Sequence, residues 1–536
     1  MTGRALAAGA IVLAVAVAYG TTIDNYFVQD DFGVVWLLAQ KPAGYFPTWF
    51  VTSWMDDIWG FTPDEVRPFV AVTYQAAALL GPATPWPNHV LNIAFHAGTA
   101  VLIWGTALHA ARVGLVAATV AAIVFVVLPN QAETVAWITG RVDSMPALFY
   151  VAAFLAWVRW RRTGRRGPYV WSIVWCFVAL FSKQNTITLV PALALYDWLV
   201  ERRGPGLAPR RWAAYVPHTV LTVAYLALRY VLFGEVARES LLTATRLGIF
   251  LSDAGDHLMR VVLGAEAPSN AALGGLAIAI ILGVEGWAVS CGRVLSDDRW
   301  WWLRPALYFG PVWIGLGLAP TLMSTYASPR HAYLASAGWA ILTGIAFEAI
   351  WRRHVFRARL CAMAAAAVLV AVYAVQLRTL VVQWDERALV ARRAVADIQR
   401  EALAAAPGTL IVAGVPARSF GFSMPFAMRP PFAEADLTRR ARIIFHSSLS
   451  CCRATLWEPE TRETLRVWLE DPARPPVVGL YWDPRTGRLS RVRDADDPSL
   501  RTLVRLLSAT GSGAALDGSI NRVITEVVAP HPVRDR

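Results

Sequence analysis

Apolar residues along this chain fall into blocks of membrane-spanning length, separated by short polar turns. Read in order, the blocks predict spans over residues 5–21, 88–111, 113–128, 144–160, 168–182, 186–200, 212–233, 271–290, 305–323, 332–350 and 360–375. That makes about eleven helices at roughly 20 residues each. Between the first two blocks, residues 22–87 are too polar and too rich in Pro and Trp to cross. They read as a large first loop with interfacial helices, including a short apolar one at 68–80. Trp36, Trp49, Trp54 and Trp59 suit a membrane–water boundary. A second large loop, 234–270, carries an amphipathic surface helix over 241–263.

The pattern changes at residue 383. A charged amphipathic helix is expected over 384–406, strands at 408–413, 442–445, 477–481 and 523–528, and a further helix at 499–508. About 150 residues suffice for one small domain. The expected fold is therefore a polytopic α-helical membrane protein, residues 1–383, followed by a C-terminal α/β domain, residues 384–536. No repeat period is present.

Composition agrees with the pattern. Of 536 residues, 56% are hydrophobic and 16% charged, with 24 Trp, too apolar for an ordinary soluble protein. The net charge of +12 does not point to nucleic acid, because the arginines cluster in short loops between apolar blocks. Such clusters, around 159–166, 202–211 and 352–359, place those loops inside, the N-terminus in the cytoplasm and the C-terminal domain outside the membrane. The N-terminal apolar run reads as an uncleaved first span rather than a signal peptide. Five cysteines form no disulfide framework: Cys176, Cys291 and Cys361 read as small core residues, and adjacent Cys451 and Cys452 as free thiols.

The loops assigned to the outer side carry the unusual charges. Asp30 and Asp31 lie directly after the first span, where a carboxylate can act as a general base or hold a divalent metal. Asp30 also reads as the N-cap of the helix that follows, which leaves Asp31 as the favoured base. Arg67 reaches the acidic pair or a phosphate, or is simply solvated. His89, Asn92 and His96 share one helix face, suited to a polar head group or to an interhelical hydrogen-bond set. In the richest loop, Gly140 would let the chain turn so that Arg141 points into a cavity, with Glu133 and Asp143 as its neutralising acids. Lys183, one of only two lysines, ends a span. It suits a phosphate or snorkels to the interface. Arg330, with Tyr333 close by, offers a third cation, and Arg141, Lys183 and Arg330 together would clamp a phosphate or pyrophosphate. Walker loops, dinucleotide fingerprints and zinc spacings are absent.

These stretches, in this order, resemble the GT-C superfamily of polytopic glycosyltransferases, and above all bacterial relatives of the transmembrane-and-TPR protein O-mannosyltransferases. The residues that carry the resemblance are Gln29-Asp30-Asp31, Val66-Arg67-Pro68, the run from Asn88 to His96, the run from Glu133 to Asp143, the run from Ser182 to Asn185, Leu195 to Trp198, and Arg330-His331 through Ser336. Gln184 stands where the family often has an acid, His331 where it usually has Tyr, and no TPR array follows.

The resemblance implies an inverting glycosyltransferase in a bacterial plasma membrane. Its donor would be a polyprenyl-phosphate sugar, with mannose the candidate sugar, and its acceptor a protein or glycan on the outer face. It implies Asp30 or Asp31 as base, and Arg141, Lys183 or Arg330 on the leaving phosphate. Asp30 and Asp31 could also hold a divalent metal, the one cofactor that these residues suggest. The alternative from another class is a non-enzymatic transporter or scaffold for lipid-linked sugars.

Overall fold

The computed structural model describes residues 2–56, 58, 63–201, 212–236, 244–264, 301–320, 328–352, 355–415, 419, 423–445, 477–483, 485–493 and 502. The span expected at 271–290, the strand at 523–528, most of the helix at 499–508, Trp59, Cys291, Cys451 and Cys452 lie outside the described residues.

Helix α1 (Thr2–Tyr19) is followed by the loop helices α2 (Asp31–Ala39) and α3 (Pro68–Ala78). The bundle continues with α4 (Trp86–His109), α5 (Leu115–Val127), the short α6 (Ala132–Ala136), α7 (Arg141–Thr163), α8 (Arg166–Leu180) and α9 (Leu189–Leu199). Then come α10 (Val216–Phe233), α11 (Ala244–Leu263), α12 (Leu303–Leu307), α13 (Trp313–Leu318), α14 (Tyr333–Trp351) and α15 (Phe356–Ala404).

Six helical segments among the described residues are long and apolar enough to cross a membrane: Gly3–Asp24, Trp86–His109, Ile138–Thr163, Val216–Phe233, Pro329–Trp351 and Phe356–Ala404. A seventh crossing is made if α5 and the segment Pro129–Ala136, bent by 54°, count as one. The bend falls at Pro129, whose ring disfavours helix at the residue before it. Several spans carry large apolar side chains outward: Leu13 and Val17 on α1, Val220 and Val231 on α10, Val368 and Val375 on α15. Such rows are stable only against hydrocarbon, and the chain is an integral membrane protein.

Several expected elements are altered. The expected fifth and sixth spans are helices of 15 and 11 residues, short for a crossing. The block at 305–323 is broken by a π-helical turn, Tyr308–Val312, around Pro311. Trp49 and Trp54 are core residues rather than boundary residues, and Cys361 is exposed on α15 rather than packed in a core. The amphipathic α11 does not lie free on the surface. Its Val261 packs against Ile314, Leu318, Ala332 and Ala335 of the bundle.

The expected last span and the expected amphipathic helix are one continuous helix, the 49-residue α15. No Gly or Pro interrupts it, so nothing stops propagation where hydropathy changes. At 1.5 Å per residue it is about 73 Å long. It ends before Pro407 and Gly408, and Arg440 donates to the otherwise orphaned carbonyls of Ala402, Leu403 and Ala405. Beyond it, strands β1 (Leu410–Gly414), β2 (Arg442–Phe445), β3 (Val477–Asp483) and β4 (Arg488–Arg493) form a sheet of order β2-β1-β3-β4. β1 is parallel to both neighbours, β3 and β4 are antiparallel, and Ile411 lies opposite Ile443 and Val478.

Candidate active site

The acidic pair opens α2 after Gln29, whose φ of 51° is uncommon for a side-chain-bearing residue. The unusual turn is pinned from the C-terminal part of the chain: the Gln29 N–H donates to the Ser419 carbonyl at 2.9 Å. The two carboxylates have opposite environments. Asp31 is fully buried and accepts three hydrogen bonds, from the Val28 N–H (3.0 Å), the Thr139 N–H (3.0 Å) and the Thr139 hydroxyl (2.7 Å). Asp30 takes the N-cap position but makes no capping bond with its side chain, and the residue is half-buried. Asp30 thus takes the expected cap position without the expected capping bond. Asp31 ties the start of α2 to the turn at Thr139, and Asp30 is the carboxylate left unbonded among the described residues.

Burial pushes Asp30 from its ordinary 3.8 up to about 6, against the pull of Arg330 and with Glu65 adding to the rise. Asp31 is pushed up to about 7 by burial, against its hydrogen bonds from Val28 and Thr139. The pair does not fit a shared divalent ion, because both oxygens of Asp31 already accept from N–H and O–H donors.

The turn at residues 138–140 needs Gly140 for space rather than for an unusual φ. A Cβ there would stand 2.5 Å from the Thr134 carbonyl oxygen and 2.6 Å from that of Glu133. Gly140→Ala is expected to destabilise by about 1–3 kcal/mol, the usual range for overpacking against fixed backbone. A detergent-solubilised thermal melt measures it.

Arg141 does not point into an open cavity with acids around it. It is fully buried, and neutral groups accept from four of its five N–H donors. Its Nε donates to Asn92 Oδ1 (3.1 Å) and Nη1 to Thr73 (3.1 Å). Nη2 donates to the Asn88 carbonyl (3.0 Å) and Asn88 Oδ1 (2.8 Å), and the guanidinium lies 4.2 Å from the Tyr74 ring centre. Asn92 in turn donates to the carbonyls of Trp137 (2.7 Å) and Ile138 (3.2 Å). His89 meets the Asn25 carbonyl at 3.2 Å, and His96 meets the Tyr333 hydroxyl at 2.8 Å while stacking on Phe125. His89, Asn92 and His96 are all buried and bond within the protein, His89 and Asn92 to loop carbonyls and His96 to a neighbouring helix. Tyr333 belongs to that core set and not to the cations.

The acids of the rich loop pair elsewhere. Asp143 holds Lys183 through one oxygen and Arg330 Nε at 3.3 Å through the other. Glu133 accepts from Arg330 Nη1 at 3.0 Å and from the Ser328 hydroxyl at 2.7 Å. Lys183 and Arg330 thus converge on Asp143, and Arg141 stands apart from them. Burial lowers the Lys183 ammonium from its ordinary value against the opposing pull of Asp143, and Arg67 and Arg330 lower it further. Arg67 is buried, pairs with Glu65 at 2.9 Å and lies 5.6 Å from the Trp54 ring centre.

One residue of this cluster escaped the sequence reading. Arg260 on α11 has two buried donors, Nε and Nη1, without a partner among the described residues. It acts electrostatically on His331 and on His257, whose rings are 6.0 Å apart. The available signal was His257, which shares its helix face with Ala254 and Val261 and so had to face protein.

No family model matches the chain. Among curated proteins it resembles protein O-mannosyl-transferase TMTC3 of Mus musculus, 28% identical over 201 residues, which are 35% of this chain and 21% of that protein. Protein O-mannosyl-transferase TMTC4 of Homo sapiens is 29% identical over 218 residues, 34% of this chain and 28% of that protein. The chain thus spans about a fifth to a quarter of the length of the curated relatives it matches. Among solved structures, ArnT from Cupriavidus metallidurans bound to undecaprenyl phosphate aligns at 17% identity with a TM-score of 0.46, covering 89% of this chain and 94% of that one. The apo form of the same protein gives a TM-score of 0.48, again at 17% identity, covering 89% and 93%. Over about a third of its length, the chain is similar to protein O-mannosyl-transferases, the resemblance that its motifs implied.

Proposed function

We propose that the chain is an inverting, GT-C-type glycosyltransferase that moves a monosaccharide, mannose by analogy with its relatives, from a polyprenyl-phosphate donor to a protein or glycan hydroxyl. The reading places the site on the outer face of a bacterial plasma membrane, with the N-terminus inside, residues 1–383 as the catalytic domain and residues 384–536 as an outer domain. The observation that carries it is the placement of Asp30: a half-buried residue whose carboxylate makes no capping bond and lies in the field of Arg330, which shares Asp143 with Lys183. In one displacement the acceptor oxygen attacks the anomeric carbon, the bond from that carbon to the phosphate oxygen breaks, and Asp30 takes the acceptor proton. Lys183, Arg330 and Arg260 stabilise the leaving lipid phosphate. The histidines, Asn92, Arg141 and Tyr333 hold the frame.

The test is transfer of sugar from a synthetic polyprenyl-phosphate donor by the purified full chain, together with mass spectrometry of envelope proteins and glycans from cells with and without the gene. Absence of transfer, with lipid-sugar movement across vesicles instead, would favour a transporter. A base with a value of about 6 is ionised above that pH. Turnover is therefore expected to fall as pH drops through about 6, with a log-linear acid limb in kcat/KM measured between pH 4.5 and 8.

A further inference from the structure

At the end of α7 opposite the acidic pair, a groove of about 440 Å³ opens between α4, α7 and α8. Leu102, Ala152, Ala156, Trp171 and Trp175 line it, and Arg159 is the charged side chain on its wall. The small side chains of Ala152 and Ala156 leave room for a linear chain. Trp171 and Trp175 stack at 5.0 Å, and Trp171 is about half exposed, as an indole at a lipid boundary would be.

Charge at the mouth is one-sided. Glu201 is held by Arg112 and Arg162, and Asp197 by Arg161. Arg159, Arg165 and Arg166 have no carboxylate partner among the described residues, and His109 lies in the combined field of Arg159, Arg162 and Arg4. An apolar groove lined by one guanidinium without a carboxylate partner among the described residues suits an acyl chain carrying an anionic head.

We propose that this groove binds an anionic phospholipid of the bilayer, its acyl chain along Ala152 and Ala156 and its phosphate on Arg159. The occupant is not a donor lipid whose phosphate sits at Lys183. Asp143 and Arg159 are sixteen residues apart on α7, about 24 Å along the axis, which puts the two cation sets in opposite leaflets. The inference is independent of the glycosyltransferase reading.

The test uses the delipidated full chain in detergent, with phosphatidylglycerol, phosphatidylcholine or inorganic phosphate added in turn. Native mass spectrometry and the thermal midpoint are the readouts. Phosphatidylglycerol is expected to be retained and to raise the midpoint, and the other two are not. Arg159→Gln is expected to weaken phosphatidylglycerol about fivefold, the factor for one basic contact at a membrane surface. Ala152→Phe, which fills the groove, is expected to remove retention, and the exposed Arg378→Gln on α15 to leave it unchanged. Equal effects of phosphatidylcholine or of free phosphate, or unchanged retention in Arg159→Gln, would overturn the assignment.

Discussion

Asp30→Asn is expected to reduce turnover by on the order of 10²–10⁴-fold while the protein stays folded, the range for loss of a positioned general base. The two halves of that expectation have separate physical origins. Activity falls because an amide cannot accept the acceptor proton. Stability holds because the Asp30 side chain makes no capping bond. The sign of the remaining electrostatic effect follows from its value of about 6 in the fold against an ordinary 3.8. The folded state binds the proton more tightly, so the ionised form opposes folding above about pH 6 and the amide removes that opposition. The thermal midpoint of Asp30→Asn at neutral pH should therefore equal or exceed that of the parent.

Asp31→Asn should behave differently. An amide has one oxygen and must turn its NH₂ toward a donor, so at least one of the contacts from Val28 and Thr139 is lost and the midpoint falls. If Asp31→Asn alone stopped turnover with an unchanged midpoint, and Asp30→Asn remained active, the proton acceptor would be Asp31.

The second large effect is on folding. Arg141→Met is expected to leave Asn88, Asn92 and Thr73 without their buried donor, at about 1–3 kcal/mol for each acceptor stranded. The sum is enough to deplete folded protein from the membrane, read as yield and as a lowered midpoint. Arg141→Lys should rescue it poorly, since a single ammonium cannot reproduce a planar fork with four acceptors around it. Lys183→Met, by contrast, leaves Asp143 with Arg330, and its main expected loss is in donor affinity. A folded Arg141→Met with a normal midpoint and weakened donor binding would restore Arg141 to the phosphate.

The membrane class, most helix positions and three of the described strands were legible in the sequence. Span length and strand propensity are local properties, and a bilayer or a buried strand selects for them residue by residue. The motif residues were legible too, as charges too costly to place near hydrocarbon without reason. Even the shared face of His89, Asn92 and His96 followed from helix geometry.

Partner choice was not legible. Arg141 follows Glu133 by eight residues and precedes Asp143 by two, yet it bonds to Asn88, Asn92 and Thr73 on other helices. The two acids turn instead to Lys183 and Arg330, which are 40 and about 190 residues away from them. Only the packing of α3, α4 and α14 around the loop decides this, because an ion pair forms where two helices place side chains within reach, whatever their separation along the chain. The same holds for α15, where the change in hydropathy marked a change of surroundings without a helix breaker to end the helix. It holds as well for Arg260, whose helix read as a surface element until the bundle brought it against His331. For the acidic pair, the sequence by itself determined that two adjacent carboxylates sit just past the first span. Packing in three dimensions sets which is held: three donors from Val28 and Thr139 meet at Asp31, and the Asp30 side chain makes no capping bond.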